Sequence, residues 1–130
     1  MRQIGRIVVH HSASARDTLI ATIDRWHRDR GFAGIGYHYV IEGNGKLRQG
    51  RDLSKLGAHA RGFNATSVGI CVTGDNTNPS QQWSEKQVAM LRRVVDALEL
   101  LFPGAITMGH RDLKNTLCPG LEVKHVLGRL

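Results

Sequence analysis

Apolar, mostly β-branched positions crowd residues 4–10 with little alternation, which predicts a strand covered on both faces. Residues 12–16 are polar and read as a loop. Beyond them Leu19, Ile20, Ile23, Trp26 and His27 recur at helical spacing. A helix capped by Asp17 or Thr18 should therefore run to about residue 30, with Gly31 as its terminator. Residues 36–42 read as a strand, and the turn Gly43-Asn44-Gly45 returns the chain through a second strand at 46–49. Residues 50–66 show no period and carry Gly50, Gly57 and Gly62, the mark of a long ordered loop. Another buried strand follows at 67–73, then a loop rich in Asn, Pro and Ser at 75–82. Ser84-Glu85-Lys86-Gln87 is a capping box. The helix it opens carries Val88, Leu91, Val95 and Leu98 on one side and stops near residue 102, before Pro103-Gly104. A short strand at 105–108 leads into His110, and a last helix is expected over 121–127.

Strands interleaved with helices define an α/β fold. The hairpin makes one pair antiparallel, so a central mixed β-sheet flanked by helices on both faces is expected. At 130 residues the chain reads as one domain, 1–130, large enough to hold a core without disulfide staples. Its two cysteines agree: Cys71 lies in an apolar run and reads as a buried thiol, Cys118 lies in a polar loop, and a bond between them has little support. No stretch approaches a membrane span, and the N-terminus lacks the apolar run of a secretory signal. The expectation is a protein made in the cytoplasm that does not leave by the general secretory route unaided. Eighteen Lys and Arg against eleven Asp and Glu give a formal charge of +7, which favours an anionic partner: nucleic acid, lipid or cell-wall polymer. A merely soluble surface would look the same.

Candidate chemistry sits at strand ends. His10 closes the first strand beside His11, and adjacent strand residues face opposite ways, so one of the two faces any given site. A strand histidine is more often a packed polar residue than a ligand. His110 and Cys118 bracket a nine-residue loop that can fold back on itself, although the spacing matches no zinc-finger rule. Should His10, His110 and Cys118 converge, two imidazoles and a thiolate would form a three-ligand set with zinc's fourth position open, the pattern of a catalytic site.

The segments Val9-His10-His11-Ser12, Trp26-His27, Gly36-Tyr37-His38-Tyr39, Gly57-Ala58-His59-Ala60, Ser67-Val68-Gly69-Ile70 and Gly109-His110-Arg111-Asp112, with Thr116-Leu117-Cys118-Pro119-Gly120 closing the last loop, occur in this order. Together they resemble the zinc-dependent N-acetylmuramoyl-L-alanine amidases, the family of phage lysozyme-type endolysins and peptidoglycan recognition proteins. The resemblance runs from about residue 6 to about residue 127. It implies one zinc ion held by His10, His110 and Cys118, with His11 a neighbour of the ligands or a substrate contact. It implies a catalytic Tyr37, which either shares the developing oxyanion charge or orients water, and a cleft-lining His59 that contacts substrate. The residue two before the zinc cysteine is Lys in some phage members and Thr116 here, as in catalytic recognition proteins. A hydroxyl gives one neutral hydrogen bond where Lys gives a charge, so the polarising role of Thr116 is weaker or shared. The implied reaction is hydrolysis of the amide joining the lactyl group of N-acetylmuramic acid to L-alanine in peptidoglycan. The implied setting is a monomeric phage or prophage endolysin that reaches the wall after the membrane is opened.

The basic surface then has a use. Arg61, with Arg51 and Arg111, becomes a candidate for the carboxylates of the stem peptide, though solvated surface arginines are an equal reading and Arg111 can instead brace the loop through Asp112. Other readings are a wall-recycling amidase, a non-catalytic wall-binding module, and a thiol hydrolase using Cys118. A nucleic-acid domain would need Lys and Arg interleaved with exposed aromatics or a reader motif, and the chain has neither.

Overall fold

The computed structural model describes residues 2–129. Among them five strands form one sheet: β1 Arg6–His11, β2 Tyr39–Ile41, β3 Leu47–Gln49, β4 Ser67–Val72 and β5 Ile106–Gly109, in the order β3-β2-β4-β1-β5. β1 runs parallel to both β4 and β5, and β2 is parallel to β4; only the β2–β3 hairpin is antiparallel. The helices are α1 Ile20–Asp29, α2 Glu85–Leu101 and the short α3 Val123–Val126.

Both faces of the sheet are covered, which is why β1 and β4 read as unbroken apolar runs. Ile7, Val9, Ile41, Val68, Ile70 and Val72 point to one side, where Leu91, Val94, Val95 and Leu98 of α2 and Val123 of α3 close over them. Val40 and Cys71 point to the other, against Ile23 of α1 and Ile35. The expected mixed sheet with helices on both faces is what forms. Cys71 is wholly buried, and both cysteines are free thiols.

Helix ends show where local pattern suffices. At α2 the Ser84 hydroxyl accepts from the Gln87 amide at 3.2 Å, and Gln87 Oε1 accepts from the Ser84 amide at 2.9 Å, so the capping box forms as expected. Gln87 is also fully buried and donates through Nε2 to the Thr73 carbonyl at 2.8 Å, tying the helix start to the end of β4. Val88, expected on the buried side, is only half-buried. At α1 the expected cap is corrected: Leu19 takes the cap position without a side-chain bond. The carboxylate comes instead from Glu42, at the end of β2, which accepts from the Ile20 amide at 2.9 Å. Thr18 turns its hydroxyl to the Ala15 carbonyl. With the helix starting one residue later, Leu19 is 55% exposed and Trp26 41%, while Ile23 and His27 carry the buried face. Gly31 ends the helix at φ +94°, a conformation that glycine adopts without a Cβ clash.

Candidate metal centre

The parallel register of β1 and β5 pairs Val9 with Gly109. The next residue after each is a histidine, so His10 near the end of β1 and His110 just past β5 stand side by side at the sheet's carboxyl edge, the rim on which open α/β sheets gather their chemistry. Their rings lie 4.5 Å apart between centroids. His10 is 1% exposed; His110 is more open. Adjacent strand residues diverge, and His11 does so: its Nδ1 accepts from the Asn76 amide at 3.2 Å and lies 3.9 Å from Asp75.

Cys118 reaches the same point because its loop is pinned at several atoms. The Asp112 carboxylate accepts from the Gly109 amide at 2.9 Å, and the Arg111 amide donates to the Cys118 carbonyl at 2.7 Å. Thr116 Oγ accepts from the Cys118 amide at 3.3 Å, and the His11 amide donates to Cys118 Sγ at 3.4 Å. One donor atom each from His10, His110 and Cys118 therefore falls within 4.8 Å of the others, with His10 Nδ1 3.7 Å from Sγ. Tetrahedral Zn–N and Zn–S bonds place their donors about 3.3–3.6 Å apart, so this set fits such an ion after a small closure.

The electrostatics suit the same purpose. Burial holds the His10 imidazole well below its ordinary value, and its neighbours His59 and His110 add to the effect. Burial also lowers His110, with Lys114 contributing. Both rings are neutral at pH 7, the form that ligates. Burial pushes the Cys118 thiol up to about 11, partly offset by the bond from the His11 amide. A cation bound here must displace that proton.

The ring of Tyr37 packs against that of His10, with centroids 5.1 Å apart. α1 positions it: His27 is buried, its Nδ1 accepts from the Gly36 amide at 2.8 Å, and its ring lies 5.3 Å from that of Tyr37. Burial raises the phenol well above its ordinary value, with the thiols of Cys71 and then Cys118 beside it, so the hydroxyl remains a donor. His59 lies directly behind His10, with Nδ1 2.9 Å from His10 Nε2 and Nε2 3.3 Å from Ser67 Oγ. Burial lowers it to about 3, and His38 and His110 push the same way.

The ring of His59 lies flat on Gly69. A Cβ there would stand 2.5 Å from His59 Cδ2 and 2.7 Å from Nε2. Gly69→Ala is therefore expected to destabilise the protein by about 1–3 kcal/mol, the usual cost of overpacking, measured by chemical denaturation. Unchanged stability would mean that the ring moves freely.

Other expected contacts sort by surroundings. Thr116 keeps its own hydroxyl proton free to donate after accepting from Cys118. Arg61 is exposed, two residues beyond His59, and makes no hydrogen bond or ion pair among the described residues. Arg51 is occupied, donating to the Ile35 and Leu56 carbonyls. Arg111 pairs with Glu122 at 3.5 Å, correcting the expected brace through Asp112. His11 is 7% exposed and turned to the 75–76 loop, which suits holding the Cys118 loop rather than touching substrate. A separate concavity of about 720 Å³, lined by Asp24, Arg28, Gly34, Arg51 and Lys55 among others, contains none of the three donors. Sequence reasoning gave no role to His27, Ser67 or Gly69. Their signal was present in the Trp26-His27 and Ser67-Gly69 motifs, but their purpose is set by partners four to thirty-one residues away.

Known proteins are similar to this chain in sequence and in fold. The family model described as N-acetylmuramoyl-L-alanine amidase matches residues 1–121. An endolysin of Klebsiella phage KP32 is 33% identical over 128 residues, covering 95% of this chain and 85% of its own. Peptidoglycan-recognition protein SC2 of Drosophila melanogaster is 34% identical over 126 residues, covering 89% and 68%. Among solved structures, the N-acetylmuramoyl-L-alanine amidase LysC from Clostridium intestinale superposes with a TM-score of 0.86 at 29% identity, covering 99% of this chain and 88% of that one.

Proposed function

The chain belongs to the N-acetylmuramoyl-L-alanine amidase family, and from that premise we propose that it is a phage-type endolysin in which His10, His110 and Cys118 hold one zinc ion. It is a hydrolase of the amide between N-acetylmuramic acid and L-alanine in peptidoglycan. The observation that supports the metal assignment best is the convergence of three donors, spread over more than a hundred residues of sequence, within 4.8 Å at one sheet edge. Zn2+ in such a site supplies Lewis-acid polarisation of the substrate carbonyl and of water.

The chain's own groups have separable tasks. Tyr37, a neutral donor beside His10, gives a hydrogen bond to the carbonyl oxygen as it gains negative charge, or orients the attacking water. Thr116 adds a second, weaker donor from the rim. His59 backs His10. Arg61, without a partner among the described residues, is placed to meet a stem-peptide carboxylate, and the net charge of +7 draws the protein to an anionic wall. The catalytic unit is the single domain 1–130, acting as a monomer on the wall once the membrane has been opened. No helix among the described residues is long and apolar enough to cross a membrane.

The test is digestion of purified sacculi followed by mass spectrometry. Release of free stem peptides with glycan strands intact is expected, stopped by a chelator and restored by added zinc. Cleavage that ignores the chelator would favour the thiol-hydrolase reading, and no release would favour a binding module. Thr116→Ala is expected to slow turnover less than Tyr37→Phe; the reverse order would overturn this ranking of the two donors.

A further inference from the structure

We infer that Ser67 and His59 fix the tautomer of His10, so that the Phe63 carbonyl decides, through three side chains, which ring nitrogen of the first metal donor is bare. The inference deepens the metal-site reading above and rests on it.

The chain of bonds has one self-consistent direction. Ser67 opens β4 and is fully buried. Its Oγ lies 2.8 Å from the Phe63 carbonyl oxygen, which can only accept. The hydroxyl proton is therefore committed to Phe63; turned away, two oxygen lone pairs would face each other at that distance. Ser67 Oγ then has only lone pairs to offer His59 Nε2 at 3.3 Å, so Nε2 carries the proton. His59 is half-buried, with no carboxylate paired to it among the described residues, and a neutral ring protonated at Nε2 has a bare Nδ1. That atom faces His10 Nε2 at 2.9 Å, so His10 must donate. The lone pair of His10 is left on Nδ1, the nitrogen 3.7 Å from Cys118 Sγ.

The geometry cannot easily relax. His59 lies flat on Gly69, close enough that a methyl group there would overlap its ring. Asn64 Oδ1 accepts from the amides of both His59 and Ala60, at 3.0 and 2.9 Å, which holds the backbone of the same loop. His110 differs: among the described residues its ring makes no hydrogen bond, so the fold prepares one imidazole donor in its ligating form and leaves the other to the metal. A hydrogen bond that orients a ligand histidine from behind is a recurrent device of metal sites, and its loss weakens metal binding by about 10–100-fold.

Ring 15N spectra of the zinc-free protein provide the direct test. His10 is expected as the Nε2–H tautomer with Nδ1 unprotonated. In Ser67→Ala the tautomers should mix, and the zinc Kd from chelator competition should weaken by about 10–100-fold. His59→Phe keeps a ring on Gly69 but removes both nitrogens, and the same weakening is expected. A proton on His10 Nδ1 in the wild type, or wild-type zinc Kd in both variants, would overturn the inference. Neither readout uses peptidoglycan. A protein that shows this tautomer and Ser67-dependent zinc binding but releases no stem peptide would refute the amidase mechanism alone. A wild-type chain that binds no zinc would remove the metal reading and this inference together.

Discussion

Cys118→Ser is expected to lose zinc affinity by roughly 10²–10³-fold, with amide cleavage falling in step and the fold intact. The size follows from the total: protein zinc sites gain about 10–16 kcal/mol from four ligands. One ligand's share is therefore roughly 2.5–4 kcal/mol, at about 1.4 kcal/mol per tenfold. Serine keeps an oxygen that can accept from the His11 amide, so the loop retains one of its pins. What it lacks is an ionisable group: a thiol sheds its proton to a metal, whereas a neutral hydroxyl is a poor ligand for zinc. The measurement is metal content after dialysis against a weak chelator, with circular dichroism as the control for folding. Full zinc and full turnover would remove Cys118 from the ligand set.

A thiol hydrolase would also fail on Cys118→Ser, so the surroundings of the sulfur decide between the readings. A nucleophilic cysteine needs its pKa lowered by a cation or a helix start. Here burial pushes the thiol up to about 11, and the imidazoles around it are neutral. That environment suppresses an unaided thiolate and stabilises one only when a metal cation supplies the compensating charge. Chelation should therefore silence the wild type, and alkylation should be slowed by bound zinc.

The sheet, the order of its helices and the α2 cap were legible because each depends on short-range pattern: β-branched runs, a Gly-Asn-Gly turn, Ser and Gln three apart. The α1 cap was not legible, because Glu42 is twenty-two residues from the amide it satisfies and no local motif points to it. The site divides in the same way. His10, Tyr37, His59, His110 and Cys118 stood out because histidine, cysteine and tyrosine at strand ends or in ordered loops are conspicuous, and these are ordered as in a known family. Ser67 and Gly69 did not, since a serine and a glycine at the start of a buried strand have many ordinary uses. Their roles exist only in the packing of β4 against the 57–66 loop. Arg111 misled for the opposite reason: Asp112 is its neighbour in sequence, but that carboxylate is already taken by the Gly109 amide.

Tyr37→Phe separates the chemistry of the rim from its architecture. The variant is expected to keep its zinc and its melting temperature while kcat falls by roughly 10²–10³-fold, the cost of one lost oxyanion donor. KM should change little, because the hydroxyl acts on charge that develops only as the carbonyl is attacked. The ring should stay in place, since phenylalanine preserves the packing against the Ile23, Ile35 and Val40 cluster and beside His27. The ring lies 5.1 Å from that of His10 between centroids, so removing its hydroxyl changes the surroundings of the donors and leaves the three donor atoms themselves in place. A raised phenol pKa strengthens the point, because the group enters the reaction as a neutral O–H with a proton to share. Zinc loss in Tyr37→Phe would recast the residue as part of the metal site's support. A wild-type kcat with zinc retained would leave the oxyanion to Thr116 and the metal.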